Sequence, residues 1–145
     1  MIRPVLAVAV LALGATALLA QSDPIAARKA LMKGNGDQNK VATEMIEGKR
    51  PFSLDDAKKI FATFEETGEK APALFPDNSK TGGDTAALPA VWENKADFDA
   101  KLAKFAKDSK AASDATKDAD SFKAQMAELR KNCGGCHQTY RKKAS

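Results

Sequence analysis

Residues 132–143 read NCGGCHQTYRKK, and this stretch holds both cysteines of the chain, Cys133 and Cys136, together with its only histidine, His137. Reading outward, Phe122, Met126, Leu129, Cys133, Cys136, His137 and Tyr140 follow one another at steps of 4, 3, 4, 3, 1 and 3. Positions three and four apart share a face of an α-helix. The spacing therefore predicts a helix starting near Asp118 or Asp120 whose inward face carries both thiols and the imidazole.

The rest of the chain reads as further helices. Phe98, Leu102, Phe105 and Ala106 repeat with helical period inside a predicted helix from about Lys95 to Ala115. Another opens at Ser53, a capping residue with Asp56 three positions on. It carries the stripe Ala57, Ile60, Phe61 and Phe64, with Gly68 and Pro72 as its stop. The first opens at Ser22-Asp23-Pro24, a capping side chain before a first-turn proline. Ile25, Arg28, Leu31 and Met32 follow at helical spacing. Gly34-Asn35-Gly36 reads as a break before helix resumes through Val41, Met45 and Ile46 to a stop at Gly48. Residues 71–92, with Pro72, Pro76, Gly82, Gly83 and Pro89, read as a loop. Four amphipathic helices with short connections predict an all-α antiparallel four-helix bundle.

The start of the chain is of another kind. Arg3 precedes an uncharged, apolar or small run from Val5 to Leu19, with small residues at Ala15, Ala17 and Ala20 and polar sequence from Gln21. That is the pattern of a secretory signal peptide over residues 1–20. The run is about 15 residues, short of the roughly 20 that span a bilayer. Cleavage after Ala20, with Ala17 as the alternative cut, leaves one domain over 21–145. Loss of Arg3, with no acid, takes the net charge from +4 to +3. The implied compartment is the periplasm. Mild basicity alone does not make a nucleic-acid binder, and export argues against one.

Cys133-Gly134-Gly135-Cys136-His137 admits four readings. A closed structural zinc site needs four ligands, and this chain offers two thiols and one imidazole. A dithiol redox centre expects a strand before the motif. A disulfide would close a tiny loop within a helix and leave His137 unexplained. The fourth, C-x-x-C-H as a c-type haem attachment pattern, uses all three side chains at once. Two thiols on one helix face reach the two vinyl groups, the adjacent imidazole reaches the iron, and Gly134 and Gly135 leave the backbone unhindered beside the macrocycle. Attachment outside the cytoplasm agrees with the leader.

A haem motif on the last helix of a four-helix bundle resembles the class II cytochromes c, the family of cytochrome c′ and its low-spin relatives. The resemblance extends through AARKALMKGNG, PALFP, PAVW and CGGCHQTYRKK. It implies one haem c per chain, held covalently by Cys133 and Cys136, with His137 as proximal ligand. It also implies that the first helix continues through Gly34 and Gly36, glycines that would permit close approach to the haem or a neighbour.

The family divides at the sixth ligand. ALMKGNG, EGKRPF and PALFPDNSK resemble the low-spin cytochrome c-556 and c-554 branch, which takes a methionine from the first helix, four residues after a basic residue. Here that pair is Arg28 and Met32. The implied function is periplasmic one-electron transfer without substrate turnover. The competing reading is a five-coordinate cytochrome c′ that binds nitric oxide or carbon monoxide, since some relatives have Met at this position and leave the iron open. In either case Met45 and Met126 read as core. Arg28 is a candidate partner of a haem propionate, against the plainer reading as a solvated charge. Arg141 matches the family's basic residue beside the proximal ligand. Arg130, Lys131, Arg141, Lys142 and Lys143 form a basic rim that could steer transient, acidic redox partners. The low-spin branch implies a monomer rather than a dimer.

Overall fold

The computed structural model describes residues 23–143. Four long helices build it: α1 (Pro24–Ile46), α2 (Leu54–Lys70), α4 (Lys95–Ala115) and α5 (Ala119–Tyr140), with a single-turn helix α3 (Ala90–Glu93) before α4. The segment expected as loop also holds two 3₁₀ turns, Ala71–Leu74 and Asp77–Ser79. Among the described residues no helix is long and apolar enough to cross a membrane. The expected leader, residues 1–20, lies outside the described residues.

The helix starts follow their capping chemistry. The Asp23 carboxylate accepts from the Ile25 N–H at 2.9 Å, with Pro24 in the first turn. Ser53 Oγ accepts from the Asp56 N–H at 3.2 Å. Asp118 and Ser121 cap each other reciprocally at the start of α5, satisfying two backbone donors that helix geometry leaves free. Gly48, at φ +70°, turns the chain after α1.

Two features of the sequence pattern read differently in the structure. Helix α1 runs unbroken through Gly34-Asn35-Gly36. The local break is overridden by packing on both sides of the glycines: Leu31 before them packs against one core cluster, and Val41, Ala42, Met45 and Ile46 after them pack against the other; the continuous helix is what the family resemblance implied. Nor does Gly68 stop α2. It is buried one turn inside the end of that helix, where α2 crosses α4. A Cβ at Gly68 would stand 2.7 Å from both Ala106 N and Leu102 O. The residue sets how closely those two backbones approach.

The core divides into two clusters. One gathers Ile60, Phe61, Phe64, Phe105, Phe122, Met126 and Leu129, with Cys133 packed against it. The other gathers Ala71, Val91, Phe98, Leu102 and Tyr140, with Cys136 packed against it. Each large side chain fully removed from water contributes roughly 1.5–3 kcal/mol. The two cysteines thus straddle the junction between the clusters, and α5 carries them there.

Candidate haem site

Cys133, Cys136 and His137 lie in the last two turns of α5, each half-buried. All three line one cavity of about 580 Å³, walled by α1, α4 and α5 and by the 84–87 segment. That volume falls in the range of roughly 300–1,000 Å³ usual for cofactor sites. Phe64, Val91, Phe98, Leu102, Phe105 and Leu129 supply much of the wall, so the space suits a large apolar ring. Gly134 and Gly135 are exposed, and a Cβ on either would meet nothing within 4 Å.

The electrostatics keep the thiols and the imidazole uncharged. Both cysteines are free thiols with no disulfide between them. Burial, above all, raises the pKa of each thiol, so both are protonated at neutral pH. Burial first, and the Arg141 charge second, lower the basicity of His137. The imidazole is then neutral near pH 7, the form that ligates a metal. Among the described residues no three His, Cys, Asp or Glu side chains converge on a point that could hold a metal ion.

Opposite α5, α1 contributes Arg28, Met32, Asn35, Gly36 and Asn39 to the cavity. Met32 is 37 % exposed, whereas Met45 is 7 % and Met126 0 %. Met45 and Met126 are core residues as expected, while Met32 borders the cavity without filling a gap in the core. A Cβ at Gly34 or Gly36 would meet nothing within 4 Å, so neither glycine serves a close approach to protein atoms.

Arg28 is not a solvated charge. It is 5 % exposed. Its Nη1 donates to Leu74 O (3.1 Å) and Ser79 Oγ (2.9 Å), and its Nη2 to Ser79 O (2.9 Å) and Thr85 Oγ1 (2.6 Å). The guanidinium also lies 4.6 Å from the centroid of the Phe75 ring. The terminal fork expected to grip a propionate is taken up by the 74–85 segment. Burial lowers the guanidinium pKa, with Asp23 opposing, and the group remains a cation.

The basic rim is only partly assembled. Arg130 and Arg141 line the cavity. Arg130 donates to Asn39 Oδ1 (3.0 Å) and Thr43 Oγ1 (2.7 Å), tying α5 to α1. Lys131 pairs with Glu128 (2.7 Å), and Lys142 Nζ donates to Thr85 O (3.2 Å). The pattern missed Lys29 and Lys101, which also line the cavity. Lys101 could have been found, since it directly precedes Leu102 on the edge of the α4 stripe. Nothing in the sequence marked Thr85, or the bond from Tyr140 Oη to Asp97 Oδ2 (2.5 Å) that pins α5 to α4.

Comparison with known proteins agrees with this geometry. The family model for Cytochrome C′ matches residues 23–141. A cytochrome c′ of Rhodopseudomonas palustris is 44 % identical over 133 residues, covering 92 % of this chain and 91 % of the relative. A cytochrome c-556 of the same organism is 34 % identical over 147 residues, covering 99 % of each. The solved structure of cytochrome c′ from R. palustris is similar at a TM-score of 0.83 and 44 % identity, over 86 % of this chain and 100 % of that one. An NMR-validated structural model of oxidised R. palustris cytochrome c556 is similar at 0.79 and 32 % identity, over the same 86 % and 100 %. With two free thiols and a neutral imidazole opening into one apolar cavity at the end of a four-helix bundle, the chain belongs to the cytochrome c′ family of c-type cytochromes, with covalent haem c as its cofactor.

Proposed function

We propose that the protein is a low-spin, monohaem electron carrier of the periplasm, acting by single-electron exchange and not as an enzyme. Cys133 and Cys136 would hold the haem through thioethers, His137 would be the proximal ligand and Met32 the distal one. The bound haem supplies an Fe(II)/Fe(III) couple. The chain's part is to orient it, to exclude water with the phenylalanine and leucine wall, and to tune it. A neutral thioether favours the reduced iron and raises the potential. The observation that carries the reading is that Met32 from α1 and His137 from α5 line one cavity, while the remaining described methionines, Met45 and Met126, are core.

Arg28, Lys29, Lys101, Arg130 and Arg141 line the cavity against a single acid, Asp84. That balance supports transient acidic redox partners, drawn to the haem edge by charge. Lys142 and Lys143, just past α5, extend the same surface. Function as a monomer accords with small, short-lived encounters of this kind.

A second reading has its own support. The relative at 44 % identity is named cytochrome c′, and Met32 is more exposed than the core methionines. On that reading the iron stays five-coordinate and binds nitric oxide or carbon monoxide. Optical spectra of the holoprotein, ferric and ferrous, with and without carbon monoxide, separate the two. A sharp low-spin ferrous spectrum that the gas alters only slowly, by displacing the sixth ligand, is expected. A broad high-spin spectrum that shifts with it assigns the protein to gas binding.

A further inference from the structure

Segment 85–88 lies between the two helices that bear the candidate axial ligands. Thr85 Oγ1 accepts from Arg28 Nη2 at 2.6 Å. Ala86 O accepts from the Lys142 N–H at 2.8 Å, and the Leu88 N–H donates to Tyr140 O at 2.9 Å. The segment is thus a short strap, tied at one end to the first turns of α1 and at the other to the end of α5. The tie on α1 is one helical turn from Met32, and the tie on α5 is one turn past His137. Thr85, Ala86 and Ala87 themselves line the cavity.

The chemistry of the α1 tie exceeds what a plain loop anchor needs. A buried cation is costly unless hydrogen-bonded. Arg28 is satisfied only by neutral oxygens of the 74–85 segment, and its fork geometry fixes direction as well as distance. If that segment moves, the guanidinium loses its partners, so α1 and the strap move together or not at all.

We infer that Arg28 and Thr85 are positioning residues for the distal side of the haem: through the strap they hold the Met32 turn of α1 at a set separation from the His137 end of α5. This rests on the reading of Met32 as sixth ligand. Opening the strap would free the Met32 thioether from a bound haem iron, and carbon monoxide would then take its place, one Fe–S bond broken for one Fe–C bond formed with no change of oxidation state.

The test uses ferrous holoprotein and carbon monoxide. Thr85→Val keeps the shape and removes the acceptor, whereas Thr85→Ser keeps the hydroxyl. Loss of one hydrogen bond to a charged group shifts an opening equilibrium by roughly tenfold or more. Thr85→Val should therefore speed displacement of the sixth ligand by saturating carbon monoxide by about that factor. Amide exchange at Leu88 and Lys142 should quicken with it, and Thr85→Ser should restore both. Faster exchange with unchanged displacement makes the strap structural only and overturns the inference, as does no change in either. A high-spin spectrum of the unsubstituted protein overturns the Met32 reading and this inference with it. A low-spin spectrum with equal displacement rates overturns the inference alone.

Discussion

Gly68 of α2 and Ala106 of α4 meet so closely that a β-carbon on the glycine would stand 2.7 Å from the Ala106 backbone nitrogen and 2.8 Å from its β-carbon. The neighbours are backbone and a methyl group, with no flexible side chain to yield. Gly68→Ala should therefore cost stability, although alanine is the better helix former by about 1 kcal/mol. The clash forces the two helices apart, and overpacking of this kind costs about 1–3 kcal/mol. Denaturant unfolding of the holoprotein measures it. A stabilised variant would mean that the helices do not pack as described.

Met32→Ala removes the proposed sixth ligand while leaving a residue that is already 37 % exposed, so the fold should survive. The ferrous spectrum should turn high-spin, carbon monoxide should bind at once, and the reduction potential should fall with loss of the thioether. An unchanged spectrum would remove Met32 from the coordination sphere.

Cys133 and Cys136 pack against different halves of the core, so each thioether is expected to hold independently. Replacing either one with Ala should leave the haem attached through acidified acetone extraction. Replacing both should release it entirely. Haem that stays with the double variant would rule out these thiols as the attachment points.

Tyr140 donates to Asp97, and that bond, with burial and the carboxylate charge behind it, pushes the phenol pKa up to about 12. The unfolded value is about 10. A pKa raised in the folded state favours folding below pH ~10, and the benefit is lost as pH rises from there towards 12. Tyr140→Phe should therefore be less stable than the parent at neutral pH and converge with it in strong alkali. Parallel unfolding curves across that range would exclude the Tyr140–Asp97 contribution.

Much of this was legible in residue order. The cap at Ser53, the span of α4 and the stripe from Phe122 to Tyr140 rest on short-range rules, and α5 places both thiols and the imidazole where that stripe puts them. What escaped depends on partners far along the chain. Gly34 and Gly36 look like a break until the packing on either side of them is known. Gly68 looks like a stop until α4 lies across it. Arg28 looks like surface charge or a propionate partner. Its oxygen partners lie 46 to 57 residues away in a segment without periodicity, where no local pattern announces them.

The glycines of the two facing walls bear on how stiffness is shared around the iron. Gly34 and Gly36 in α1, and Gly134 and Gly135 in α5, are all helical and all face open space. Glycine holds a helix about 1 kcal/mol less firmly than alanine, so each wall has one soft turn. In α5 that turn lies between Cys133 and Cys136. With both bonded to one rigid macrocycle, as proposed, that turn would be stapled and could not unwind without straining the ring. In α1 the soft turn follows Met32 and has no such staple. On the proposed ligation, attachment of haem would therefore make the α5 wall the anvil and leave the α1 wall as the spring, so that a rival for the sixth position would displace α1 rather than α5.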